Sequence, residues 1–137
     1  MFKFTPNLTF WWPVKVIEPH PDEPGKLVEH EFEAKFETVS PEEGKAWLKA
    51  RNAMVAKITP DLNDAEIEVI QSELDEHDLK RVKDVLRDWR NVADADVKAI
   101  PFNDTTFRLL YDHIRVRNGI VRAYIDALSE DKARLGN

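Results

Sequence analysis

Four histidines, at 20, 30, 77 and 113, are the side chains best suited to acid–base or metal chemistry in this chain. Histidine-based metal sites need close, regular ligand spacing, and these four lack it. His77 sits between Glu76 and Asp78, a grouping that a solvated helix junction explains. His30 falls on the apolar side of a strand pattern and reads as a core or edge histidine rather than a ligand. Asp94-Ala95-Asp96 opens like a calcium loop, but the glycine and the glutamate required later in such a loop are missing. The glycines, at 25, 44, 119 and 136, cannot form a phosphate-cradling loop. Cysteine is absent, which excludes disulfides and thiolate metal sites and fits a reducing cytoplasm. The acidic pairs Glu42-Glu43 and Asp75-Glu76 read as a helix cap and a solvated face. The expectation is therefore no catalytic residue, no metal and no cofactor.

Two groups of residues point to binding instead. Trp11 and Trp12 are adjacent on a strand pattern, and neighbouring strand residues face opposite ways. Both cannot enter one core face, so one of them is a candidate exposed anchor for a protein partner. Arg108, Arg115, Arg117 and Arg122, with His113, form a basic group on and between the last two helical patterns. That group reads either as a solvated helix face or as a docking surface for an acidic partner; Arg108, Arg115 and Arg122 are its candidate contacts.

The elements that must position these residues follow from hydrophobic period. Residues 26–39 alternate, with Val28, His30, Phe32, Ala34 and Phe36 on one side and Glu29, Glu31, Glu33, Lys35 and Glu37 on the other. This predicts a strand with one face buried. Phe10, Trp12, Val14 and Val16 give its antiparallel partner, and the proline-rich stretch 19–25 forms a protruding loop. Phe2 and Phe4 offer a third short strand. From Ser40 the pattern turns helical: Ser40-Pro41-Glu42-Glu43 is a helix start, with Ala46, Trp47, Ala50, Met54 and Val55 following. Asn63 begins a second helix with Ile67, Ile70 and Leu74 on one stripe. Asp75–Asp78 offers an interruption, after which Leu79, Val82, Leu86 and Trp89 extend a helical stripe to residue 90. Residues 91–102 are irregular. Asn103 or Asp104 caps a helix with Phe107, Leu110, Tyr111 and Ile114 inward, Arg117-Asn118-Gly119 offers a break, and Ile120, Val121, Tyr124 and Leu128 mark a last helix.

The expected fold is α+β: an N-terminal antiparallel hairpin, with a possible third strand, then a bundle of about four to five helices. At 137 residues the chain suits one domain, with a hairpin portion at 1–39, a helical portion at 40–128 and a flexible tail at 129–137. The expected core is Phe32, Phe36, Trp47, Leu86, Trp89, Phe102, Leu110 and Tyr124. A net charge of −6 argues against general nucleic-acid binding. No apolar run is long enough for a membrane span, and the first residues lack the apolar core of a signal peptide.

Two stretches carry a family resemblance. One is the strand-to-helix junction from Glu31-Phe32-Glu33-Ala34-Lys35-Phe36 to Ser40-Pro41-Glu42-Glu43. The other is Val85-Leu86-Arg87-Asp88-Trp89-Arg90-Asn91-Val92, then Asp94-Ala95-Asp96, Ile100-Pro101-Phe102 and Ala123-Tyr124-Ile125-Asp126-Ala127-Leu128. In these the chain resembles the tail assembly chaperones of long-tailed bacteriophages and prophages, with Val97 where such turns often carry glycine. The resemblance implies a non-enzymatic protein of the host cytoplasm, absent from the finished virion. It implies binding to the tape-measure protein, keeping it soluble, and recruitment of tail-tube subunits. It also implies a frameshifted longer form, of which a chain ending Arg134-Leu135-Gly136-Asn137 would be the short product. A homo-oligomer is expected while the client is absent. A small cytoplasmic adaptor using the same hairpin and helices is the alternative, and an enzyme built from scattered acids is a third reading.

Overall fold

A computed structural model describes residues 1–129. In chain order the elements are β1 (Thr9–Pro19), β2 (Leu27–Glu37), α1 (Pro41–Ala56), α2 (Asp64–Val85), β3 (Leu86–Arg90), α3 (Asp104–Tyr111) and α4 (Ile114–Leu128). The fold is α+β, a three-stranded antiparallel sheet ordered β1-β2-β3 with four helices. By its contacts the chain divides into two compact units: Met1–Glu37 with residues 86 onward, and Thr38–Val85 between them in sequence. The expected flexible tail lies outside the described residues except at Ser129, which ends α4.

The hairpin follows the alternation closely. Trp12 pairs with Ala34, Val14 with Phe32 and Val16 with His30. Val14, Val16, Phe32, Ala34 and Phe36 are buried, because the even-numbered residues of both strands share the core face. His30 is exposed, near the loop end of β2, and joins Glu18 across the strands at 3.9 Å. In the loop, the backbone N–H groups of Asp22 and Glu23 donate to His20 Nδ1, and Gly25 takes a positive φ of 80° that suits glycine. Phe2 and Phe4 form no third strand; they precede β1 and are exposed.

The third strand lies at Leu86–Arg90, where the helical stripe predicted a helix to residue 90. Leu86 and Trp89 are three residues apart, a helical spacing, yet both are buried on a strand. A register shift explains this: Lys35 pairs with Asp88 but Phe36 with Leu86, which leaves Arg87 as an extra residue. Such a bulge flips the parity of the strand and turns both apolar side chains inward. All four helices follow Ser40, but the strands are not confined to the residues before it.

The core of this first unit is aromatic. Phe36 packs on Tyr124 at 5.5 Å, and Trp89 meets Phe32 at 6.4 Å and Phe102 at 4.9 Å, both edge-on. The Trp89 indole N–H donates to the Ile100 carbonyl at 2.8 Å, so its polar end is satisfied inside. Phe32, Phe36, Leu86, Trp89 and Tyr124 are buried as expected. Phe102 and Leu110 are only half-buried: Phe102 sits at the end of the irregular loop, and the buried side of the short α3 is formed by Phe107 and Tyr111. Asn103 caps α3 in a reciprocal capping box with Thr106. The break between the last two helices comes at Asp112-His113, not at Arg117-Asn118-Gly119, and Ile114 is exposed.

The second unit is a helical hairpin. Ser40 caps α1, and Asn63 and Glu66 form a capping box at the start of α2. The two helices meet through Trp47, whose ring stacks on His77 at 5.4 Å and 7°. Arg51 Nε donates to both oxygens of the buried Asp78, at 3.0 and 3.3 Å. Residues 75–78 thus do not interrupt α2; His77 and Asp78 are its contacts with α1 rather than a solvated junction. The buried side of α1 is Gly44 and Trp47; of the apolar stripe assigned to this helix, Trp47 is buried and Met54 half-buried, while Ala46, Ala50 and Val55 are exposed.

Candidate protein-binding site

Trp11 and Trp12 part company as strand geometry requires. Trp12 turns to the core face beside Phe10, ring centroids 6.2 Å apart, and is half-buried. Trp11 turns to the opposite, charged face. There the Arg90 guanidinium lies 4.1 Å from its ring centroid and Lys35 Nζ 5.8 Å away. Glu33 holds Arg90 in place, accepting from Nε at 2.8 Å and from Nη2 at 3.2 Å. This hydrogen bond pulls the Glu33 carboxyl below the usual glutamate range and pushes the Arg90 guanidinium further up. Trp11 is therefore a half-covered platform under cations, not a bare anchor.

The arginines of the basic group on the last helices each have a partner within this unit. Arg108 pairs with Asp104 one turn earlier at 3.3 Å. Arg117 donates to the Tyr111 carbonyl and lies over its ring at 5.2 Å. Arg115 donates to the Ile17 carbonyl and Arg122 to the Lys15 carbonyl, each at 2.8 Å. Between them Gly119 meets the Lys15 carbonyl so closely that a Cβ there would stand 2.6 Å from the oxygen. Arg115, Gly119 and Arg122 lie along one side of α4, and together they seat that helix on the outer edge of β1. Gly119 is the residue that permits the approach, a role that its place after Arg117-Asn118 disguises as a helix break.

These contacts define the edges of the sheet. The carbonyls of Lys15 and Ile17 point to α4, so the odd-numbered residues of β1 turn their peptide groups away from β2. Pro13 and Pro19 share that parity and carry no N–H to leave unpaired. β3 protects its own outer edge through Asp88, whose carboxylate accepts from the Trp89 backbone N–H at 2.8 Å. β2 differs. Odd pairs with odd in the hairpin, so its odd-numbered residues direct their peptide groups toward the β3 side. β3 covers only Glu33–Phe36. Along residues 27–32 of β2 no strand, helix cap or side chain among the described residues bonds to that edge. Leu27, Glu29, His30 and Glu31 are exposed there.

Exposed apolar side chains of this unit include a run before β1, besides Leu27, Leu109 and Ile114. Met1, Phe2, Phe4 and Leu8 are exposed, Phe2 at 86% and Phe4 at 77%. The exposed Val97 adds a tip to the turn 94–97, in a left-handed backbone conformation at φ 60°. That conformation strains a β-branched residue. Sequence reasoning missed Arg90, Asp88, Gly119 and the open stretch of β2. The prolines of β1 were the available signal that this strand lies at an edge.

No group of three or more His, Cys, Asp or Glu side chains among the described residues is arranged to hold a metal ion. No helix there is long and apolar enough to cross a membrane. No protein-family model, no curated protein and no solved structure matches the chain.

Proposed function

We propose that the chain is a non-enzymatic binding protein and, in line with the resemblance of its strand–helix junction and its 85–102 segment, a phage tail assembly chaperone. In this reading it binds the tape-measure protein in the host cytoplasm, keeps it soluble and helps recruit tail-tube subunits, and it takes no place in the finished virion. The observation that carries the reading is the exposed apolar run before β1, Met1, Phe2, Phe4 and Leu8, on a unit that also leaves residues 27–32 of β2 open. Exposed apolar side chains and an unpaired strand edge are what a protein needs to shield an extended or helical apolar client.

Co-expression with the cognate tape-measure protein tests this. The client should stay in the soluble fraction and co-purify with the chain, and it should precipitate when expressed alone. A client equally soluble alone that never co-purifies would replace the chaperone reading with that of an adaptor.

A further inference from the structure

The open stretch of β2 has a matching strand within the same sequence. Phe2, Phe4, Leu8, Phe10, Trp12, Val14 and Val16 all occupy even positions, so the alternation of β1 continues upstream of its first paired residue, with Pro6 as the one interruption. Residues 1–5 therefore carry a strand pattern with nothing to pair against: Phe2 and Phe4 on one face, Lys3 and Thr5 on the other. The open edge carries the complement. Val28, Phe32 and the exposed His30 lie on its core side and Glu29 and Glu31 on its charged side. Glu29 has a long contact with Lys15 at 4.0 Å, and Glu31 has no ion pair among the described residues.

The segment cannot reach that edge within its own chain. Phe4 stands five residues before Thr9, a reach of about 17 Å at roughly 3.4 Å per residue. Thr9 pairs with Glu37. From there the place beside Glu31 is six residues along the hairpin, about 20 Å, and about 10 Å across two strand spacings. β3 stands in the intervening position. Nor do two open edges suit each other, because pairing β2 with β2 would set Glu29 and Glu31 against the same residues, and like charges across a ladder destabilise it.

We propose that residues 1–5 of one copy add as a strand to residues 27–32 of β2 in a second copy. In the register that sets Lys3 against Glu31 on the charged face, Phe2 and Phe4 fall beside His30 and Phe32 on the core side. Main-chain hydrogen bonds supply the affinity, and the Lys3–Glu31 pairing sets the register. The proposal does not depend on who the client is, and its test uses the chain alone.

Sedimentation velocity of the full chain over a concentration series tests it. The wild type should associate reversibly. Phe2→Asp combined with Phe4→Asp should remain monomeric throughout, and since both side chains lie outside every folded element its circular dichroism should match the wild type. Lys3→Glu and Glu31→Lys should each weaken association about tenfold, and the two together should restore it. A wild type that stays monomeric, an aspartate variant that associates as well as the wild type, or a double charge swap no better than either single one would each overturn the proposal.

Discussion

The two sides of the sheet are finished in opposite ways. On the β1 side, Arg115 and Arg122 take the carbonyls of Ile17 and Lys15, Gly119 lets α4 lie against the strand, and Pro13 removes a donor. On the other side, β3 is short, its own edge is closed by Asp88, and residues 27–32 of β2 extend past it unpaired. Unpaired edges invite strand addition, so natural sheets cover them or charge them. Here one edge is covered and the other is only charged, by Glu29 and Glu31. Arg115 and Arg122, two of the arginines that look like a binding patch, close an edge, and the open edge lies on the far side of the sheet.

The largest expected effect comes from the core that both edges share. Trp89→Ala removes a buried ring that touches Phe32 and Phe102 and donates to Ile100, and should lower stability by about 3–5 kcal/mol in denaturant melts. A loss under about 1 kcal/mol would mean that β3 does not anchor the sheet. Gly119→Val strikes the covered edge alone. Its side chain would collide with the backbone of Lys15, which cannot move aside as a flexible side chain would, and a loss of about 1–3 kcal/mol is expected, with increased self-association as β1 is uncovered. Unchanged melting would show that α4 does not seat on β1.

Smaller changes sharpen the picture. Arg115→Ala with Arg122→Ala should cost about 1 kcal/mol, since both guanidinium groups are exposed and their hydrogen bonds compete with water. Val97→Asn lies away from both edges and replaces a strained β-branched residue with one that tolerates the left-handed conformation; it should raise stability by about 0.5–1 kcal/mol. The Glu33–Arg90 pair gives the mildest signal. Because the Glu33 carboxyl is held below the usual range, the clamp over Trp11 is present above that range and lost as pH falls through the depressed value. The Arg90 Nε–H resonance should therefore shift only below the ordinary glutamate range. A midpoint at or above that range would mean the pair does not form.

Much of this sheet was legible. The alternation over 26–39 and 10–18 yields the hairpin and its buried side, and Ser40-Pro41 and Asn103 mark helix starts that the structure keeps. β3 was not legible because its two apolar residues have helical spacing, follow a helical stripe, and share a face only through the bulge at Arg87. A pattern of period two cannot reveal a strand whose parity changes midway. The half-buried Arg51–Asp78 contact was hidden for a different reason: charged residues on a helix read as solvated until their partner, 27 positions away, is known. The same limit applied to the arginines of α4, whose acceptors are backbone carbonyls that carry no sequence signature.

Amide hydrogen exchange along β2, resolved residue by residue in a dilute sample, tests the contrast between the edges most directly. Leu27, Glu29 and Glu31 should exchange quickly, while Glu33 and Lys35, covered by β3, should exchange slowly. Raising the concentration should slow Glu29 and Glu31 in the wild type and leave them fast when Phe2 and Phe4 are replaced by aspartate. Slow, uniform exchange along the whole of β2 in the dilute sample would contradict the account, because it would show that this edge is already closed.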